Sequence, residues 1–297
     1  MAIDPNTNTN TIPLKQYKST ELYYWNDTYT YRHTSTITSC QPITDSARHE
    51  SINTIKQSYI QSNHIQLNNN DISELYQITV VSTIFHAQGG GQPADQGVII
   101  ESHHITNTEY TACNNELIDS IHSFIVLHVE KSTLDDVDVI LHYGYFNCKS
   151  HIFSTDTSIV QYIDSQQRNY NARLHSAGHI IDLATSNAGY RDKLLASKGN
   201  HFSTSPYVDY VPLCELSSSD RSEFVSRVQT EVNKLIDHKL SRVQYIEGAT
   251  RMLGFGEYPC QPCGGTHINN TEQLKSVTIT KLEKKGKIFR CKYKVDP

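Results

Sequence analysis

The sequence predicts an α+β protein, β-rich in its first half and mixed in its second. Segments of β-branched and aromatic residues alternate with polar turns up to about residue 150. Apolar residues at helical spacing appear only beyond that point. A chain of 297 residues is long for one domain and comfortable for two.

The first 19 residues, with a polar Asn/Thr run over Met1–Pro13 and no basic apolar leader, are expected to form a disordered tail. Asp27–Cys40, Tyr76–Phe85, Gly97–Glu101, Ser120–Val129 and Val137–Asn147 read as strands. Short strands at this spacing suggest a small β-barrel or a curled antiparallel sheet. Gln41–Asp71, rich in Ser, Gln and Asn, is expected to be a surface insertion. This first unit should cover residues 20–154, with the boundary near Phe153–Ser158.

Over residues 155–297 the pattern changes. Gln167–Ser186 predicts a helix with Leu174, Ala177, Ile181 and Ala184 on its apolar face and Gly189 past its end. Ser217 to Asp220 supplies N-cap residues for a second helix, in which Phe224, Val225, Val228, Val232, Leu235 and Ile236 recur at helical spacing. Ser276–Leu282 and Ile288–Val295 alternate like two strands around a Lys285-Gly286 turn.

Composition excludes several classes. No apolar run approaches the roughly 20 residues that cross a bilayer, so no membrane is expected. Seven scattered cysteines fit a reducing compartment, and a cytoplasmic location is expected. The net charge is −5. Residues 271–297 carry eight basic and three acidic side chains, a net +5 that leaves −10 on the remainder. Such a basic edge suits a phosphate backbone docked at one place.

Two short motifs carry the chemistry. His175 and His179 stand four apart on the predicted helix, so both imidazoles can reach one ion. Asp182 is placed to orient a ligating imidazole. Cys263 and His267 flank the flexible Gly264-Gly265-Thr266. One thiolate with imidazoles is a donor set that suits zinc. Cys260 is an alternative thiolate at this stage. A zinc protease would need Glu immediately after the first histidine, and the residue is Ser176. A thioredoxin-type use of Cys260 and Cys263 is opposed by the Gly264-Gly265 that follows.

Between two predicted strands lies Thr83-Ile84-Phe85-His86-Ala87-Gln88-Gly89-Gly90-Gly91-Gln92-Pro93-Ala94-Asp95-Gln96-Gly97. Consecutive glycines allow close backbone approach and free N–H groups for a polar ligand. The segment is neither a Walker loop nor a dinucleotide fingerprint, and no nucleotide cofactor is expected.

This segment, RLHSAGHIID, Lys198 to Phe202 with Pro206-Tyr207-Val208, and CGGTH occur in one order. Together they make the chain resemble the AlaX family, free-standing relatives of the alanyl-tRNA synthetase editing domain. The likeness runs from about Thr20 to the C-terminus. It implies an N-terminal β-barrel followed by an editing domain of the threonyl/alanyl-tRNA synthetase type. It implies Zn2+ held by His175, His179, Cys263 and His267, with Thr83 and Gln92 facing the aminoacyl group as the catalytic pair. It also implies a partner, the acceptor end of mischarged tRNA, chiefly seryl-tRNA(Ala) and also glycyl-tRNA(Ala), hydrolysed in trans. Residues 41–71 and 102–117 look like additions to the family pattern. The alternatives are editing of seryl-tRNA(Thr) and a non-catalytic, zinc-stabilised tRNA-binding module. The oligomeric state is left open.

Overall fold

The computed structural model describes residues 18–62, 74–105, 110–120 and 122–296. The expected N-terminal tail lies almost wholly outside these. The first strands are β1 (Glu21–Leu22), β2 (Arg32–Pro42), β3 (Tyr76–Val80), β4 (Ser82–Thr83), β5 (Gly97–Glu101), β6 (Ser123–Leu134), β7 (Val137–Phe146) and β8 (Ser158–Ile163). β1 and β4 form a short parallel pair. The others close into a barrel in the order β2-β3-β7-β6-β5-β8, with antiparallel neighbours throughout.

Alternation along the strands sorts the side chains into two apolar clusters. Ile99, Phe124, Val126, Ile140 and Ile159 belong to one, while Val98, Ile125, Leu127, Val139 and Val160 belong to the other. The second cluster also holds Ile52 of helix α1 (Ser46–Ser62) and Leu117 of α2 (Asn115–Asp119). It is therefore the outer face, roofed by these helices, and the first cluster fills the barrel. The segment read as a surface insertion thus completes β2 and supplies α1; residues 63–71 of it lie outside the described residues. Helix α1 buries only Ile52 and Lys56, so it carries no apolar stripe for a sequence to display.

The second half contains α3 (Ser165–Thr185), β9 (Leu194–Asn200), β10 (Tyr207–Pro212), α4 (Ser218–Asp237), β11 (Arg242–Glu247), β12 (Thr250–Phe255), β13 (Gln261–Pro262), β14 (Val277–Lys285) and β15 (Ile288–Val295). A four-stranded antiparallel sheet runs β14-β15-β10-β9, and β11-β12-β13 form a smaller one. Together with the barrel this is an α+β protein.

Asp164 caps α3 by accepting from the Gln167 N–H, and Ser217 with Asp220 forms a reciprocal capping box on α4. Leu174, Ala177, Ile181 and Ala184 of α3 are fully buried with Phe224, Val228 and Val232 of α4 against one face of the larger sheet. Burying side chains of this size stabilises the fold by roughly 1.5–3 kcal/mol each for the Leu, Ile, Val and Phe among them. Val225 only packs at the edge of that core. The helix predicted over Gln167–Ser186 begins two residues earlier and runs into a π-helical turn, Ser186–Tyr190, that contains Gly189 at φ 87°.

A candidate metal centre beside the glycine-rich segment

Helix α3 delivers His175 and His179, and the turn after β13 delivers Cys263 and His267. One ligating atom from each lies within 4.8 Å of all the others. The Cys263 Sγ is 3.5 Å from the His175 Nε2 and 3.1 Å from the His267 Nε2. Ligand atoms around a tetrahedral zinc stand about 3.3–3.8 Å apart, given bonds of roughly 2.0–2.3 Å. Cys260 is outside this group; its thiol is 3.9 Å from the Val243 carbonyl.

Hydrogen bonds fix which ring nitrogen of His175 is free. The Thr266 N–H donates to the Gln92 Oε1 at 2.9 Å, and the Gln92 Nε2 donates to the Thr266 Oγ1 at 2.8 Å. The Gln92 Oε1 is thereby an acceptor, so the His175 Nδ1, 2.8 Å away, must carry the proton it donates there. The His175 Nε2 is left with its lone pair directed to the cluster, the arrangement a metal ligand needs. His267 is held similarly. Its Nδ1 is 3.1 Å from the Ser176 Oγ, and that oxygen accepts from the Ile268 N–H. Ser176, which sequence reasoning used only to reject a protease, is thus the support for His267. Asp182, the expected support, instead accepts from the Gln261 Nε2 at 3.4 Å.

Burial is the main influence on these rings. It pushes His179 down to about 4 and His201 to about 3, and it holds His175 and His267 well below the ordinary histidine value, with neighbouring histidines adding to the effect. All are neutral at pH 7, the ligating form of imidazole. Burial also raises the Cys263 thiol; a coordinated ion would reverse that. The donor set, the spacing and the His175 tautomer fit zinc.

Two glycines are needed for the closeness. A Cβ on Gly265 would fall 2.2 Å from the His175 ring and 2.8 Å from the Gln92 Oε1. Gly91, at φ 79°, would place a Cβ 2.3 Å from the Gly199 carbonyl. Arg251 braces the turn by donating to the Cys263 carbonyl at 2.9 Å and to the Gly265 carbonyl. The glycine-rich segment is tied to α3 by a fully buried ion pair between Arg168 and Asp95, and Arg168 also donates to the Thr28 carbonyl at 2.8 Å.

Gly90 and Gly264 border two cavities, one of about 310 Å³ that includes His175, His179 and His201, the other of about 620 Å³ that includes Trp25 and His86. His201 stacks on His175 with centroids 4.6 Å apart and donates from Nδ1 to the Tyr293 hydroxyl at 2.7 Å, which in turn donates to the Leu174 carbonyl. The sequence offered His201 only as part of a matching run, and its place beside the cluster comes from β9.

The six candidate residues are not all together. Gln92 and the four ligand candidates meet, with Gln92 fully buried. Thr83 is also fully buried, but inside the barrel: its hydroxyl is 2.8 Å from the His142 Nε2, donates to the Gln161 Oε1 at 3.2 Å and accepts from the Phe85 N–H at 3.0 Å.

The Threonyl and Alanyl tRNA synthetase second additional domain matches residues 250–290, the stretch from β12 into β15 that includes Cys263 and His267. Alanyl-tRNA editing protein AlaX-M of Methanosarcina barkeri is 26% identical over 235 residues, covering 71% of this chain and 85% of that protein. AlaX-L of Pyrococcus horikoshii is 23% identical over 242 residues, 73% of this chain and 52% of its own length. An alanine–tRNA ligase of Bdellovibrio bacteriovorus is 24% identical over 218 residues; the chain spans about a fifth of it, 21%. These likenesses support membership of the AlaX family.

Proposed function

We propose that this chain hydrolyses the ester linking a wrong amino acid to tRNA, acting in trans on seryl-tRNA(Ala) and on glycyl-tRNA(Ala). The observation that carries the reading is the hydrogen bond from His175 to Gln92, which joins the barrel's glycine-rich segment to the His/Cys cluster. In this reading residues 20–154 and 155–297 act as two domains that share one site. His175, His179, Cys263 and His267 would hold zinc. When bound, zinc supplies a Lewis acid and a water of lowered pKa.

The chain's own contribution is positioning. Gln92 holds the tautomer and orientation of His175. Gly90 borders both cavities, and its backbone N–H suits a polar acyl group and its developing oxyanion. Thr83 anchors the start of the segment from within the barrel; its hydroxyl is engaged three times, and we assign it no substrate contact.

The acceptor end of the tRNA is the partner, in the cytoplasm, with phosphates met by the basic face of β14 and β15. Lys284, Lys285, Lys287 and Lys294 are exposed there. Glu283 pairs with Lys281, Lys285 and Lys292 and offsets part of the charge. A second chemistry is supported by the four-donor set itself, since four protein ligands are typical of structural zinc. That alternative is a zinc-stabilised module that binds tRNA without cleaving it.

Release of amino acid from seryl-tRNA(Ala), glycyl-tRNA(Ala) and seryl-tRNA(Thr), measured side by side, tests the proposal. Turnover of the first two is expected. Preference for seryl-tRNA(Thr) would move the specificity to the other tRNA, and binding without release would establish the structural module.

A further inference from the structure

A second group of histidines sits away from the cluster. β5, β6 and β7 are antiparallel neighbours, so the end of β5, the start of β6 and the end of β7 share one rim of the barrel. Each carries a histidine there. His104 closes the 3-10 turn Ser102–His104 after β5, His122 immediately precedes β6, and His151 closes the 3-10 turn Lys149–His151 after β7. One ring nitrogen of each lies within 4.8 Å of the other two.

Other observations separate this group from an ordinary surface cluster. The His122 Nδ1 is buried without a hydrogen-bond partner, a costly state for a polar atom that a ligand would relieve. The His104 and His122 rings are 3.6 Å apart and nearly parallel, and the His151 ring is 4.3 Å from His122. Glu101 reaches the His104 Nε2 at 3.6 Å and the His103 Nε2 at 3.3 Å. A carboxylate behind a histidine is the usual outer support of a metal-bound imidazole.

We propose that His104, His122 and His151 form a second metal site, which takes a divalent transition cation of the zinc, nickel or copper class, with Glu101 as its outer support. Three imidazoles without thiolate suit these ions, and water completes the coordination on the solvent side. The ion would clasp three strand ends at one rim. It is chemically distinct from the Cys263 cluster and independent of the proposed hydrolysis.

Cobalt(II) titration of the metal-stripped, untagged full chain, followed by absorption, tests this. Cobalt beside Cys263 gives a thiolate charge-transfer band; cobalt held only by histidines gives ligand-field bands without it. The wild-type chain should take up one equivalent of each kind. His122→Gln and His151→Gln, made separately, should each lose the thiolate-free equivalent and keep the charge-transfer band. Glu101→Gln should weaken that equivalent by roughly 10- to 100-fold. Wild-type protein that binds only the thiolate-bearing equivalent, or histidine variants with unchanged uptake, would overturn the proposal. If a histidine variant fails to fold, its charge-transfer band is lost too, and the wild-type stoichiometry with Glu101→Gln decides. A chain with no thiolate band that still binds the second equivalent would count against the Cys263 cluster alone.

Discussion

Gln92 and Thr266 grip each other twice across 174 residues of sequence, side chain to hydroxyl and backbone N–H to side chain. That pair of hydrogen bonds orients the carboxamide, and the carboxamide in turn orients His175. The barrel therefore sets the tautomer of a ligand candidate it does not itself carry.

Gln92→Ala should strip three partners at once, leaving the His175 Nδ1–H and both Thr266 groups without their bonds. Loss of such buried partners costs about 1–3 kcal/mol of stability. Loss of the outer support should weaken metal binding about 10- to 100-fold. Urea unfolding and zinc competition against a chelating dye would read the two effects separately.

Thr83 gives a sharper contrast. Thr83→Val removes a hydroxyl shared by His142, Gln161 and the Phe85 N–H, so a loss of about 1–3 kcal/mol is expected, while metal uptake at the Cys263 cluster stays intact. Thr83→Ser keeps the hydroxyl and should stay much closer to wild type. Thermal melts of both, beside their metal content, check this. Equal melting of the valine and serine variants would show that the hydroxyl is not what matters.

His142 makes stability depend on pH. Burial, only partly opposed by its bond to the Ile78 carbonyl, lowers it from 6.5 to about 4. Folding therefore favours the neutral ring. Its stability contribution is fully present above pH 6.5 and is lost as pH falls toward the folded value, because the unfolded chain takes up the proton first. At about 1.4 kcal/mol per pH unit, the loss reaches roughly 3 kcal/mol by pH 4. His142→Gln cannot titrate, and its unfolding free energy should fall less steeply over that window. Parallel curves for the two proteins would remove His142 as the source.

Much of this architecture could be read from residue order, and the failures have physical causes. Helix α3 was legible because Leu174, Ala177, Ile181 and Ala184 repeat on one face, and α4 because Ser217 and Asp220 are a recognisable cap. The hairpin of β14 and β15 was legible from alternation around Gly286. Helix α1 was not, because its contact with the barrel is almost confined to Ile52 and Lys56. β11 leaves Tyr245 and Ile246 exposed and so has no buried stripe to announce it. The four ligand candidates were legible as residue types at metal-binding spacing. The supports Gln92 and Ser176 were not legible in that role, since they meet their partners only through folding. The spacing of His104, His122 and His151 carries no signal at all; adjacent strand ends bring them together.

The basic face predicts a salt-dependent partner. The ion pairs drawn among the described residues do not use Lys284, Lys287 or Lys294, and all three are exposed. Replacing all three with Gln should weaken tRNA binding and lower the slope of log affinity against log salt by about 2–3. Filter binding at several salt concentrations measures it, and an unchanged slope would place the tRNA on another face.

Serine release from seryl-tRNA(Ala) by the metal-stripped chain, followed as zinc is added back, is the most direct test. Joint action of His175, His179, Cys263 and His267 on one ion predicts no release from the stripped chain, recovery as zinc returns, and no recovery in His179→Ala. Release that survives stripping, or that His179→Ala sustains at the wild-type rate, would contradict it.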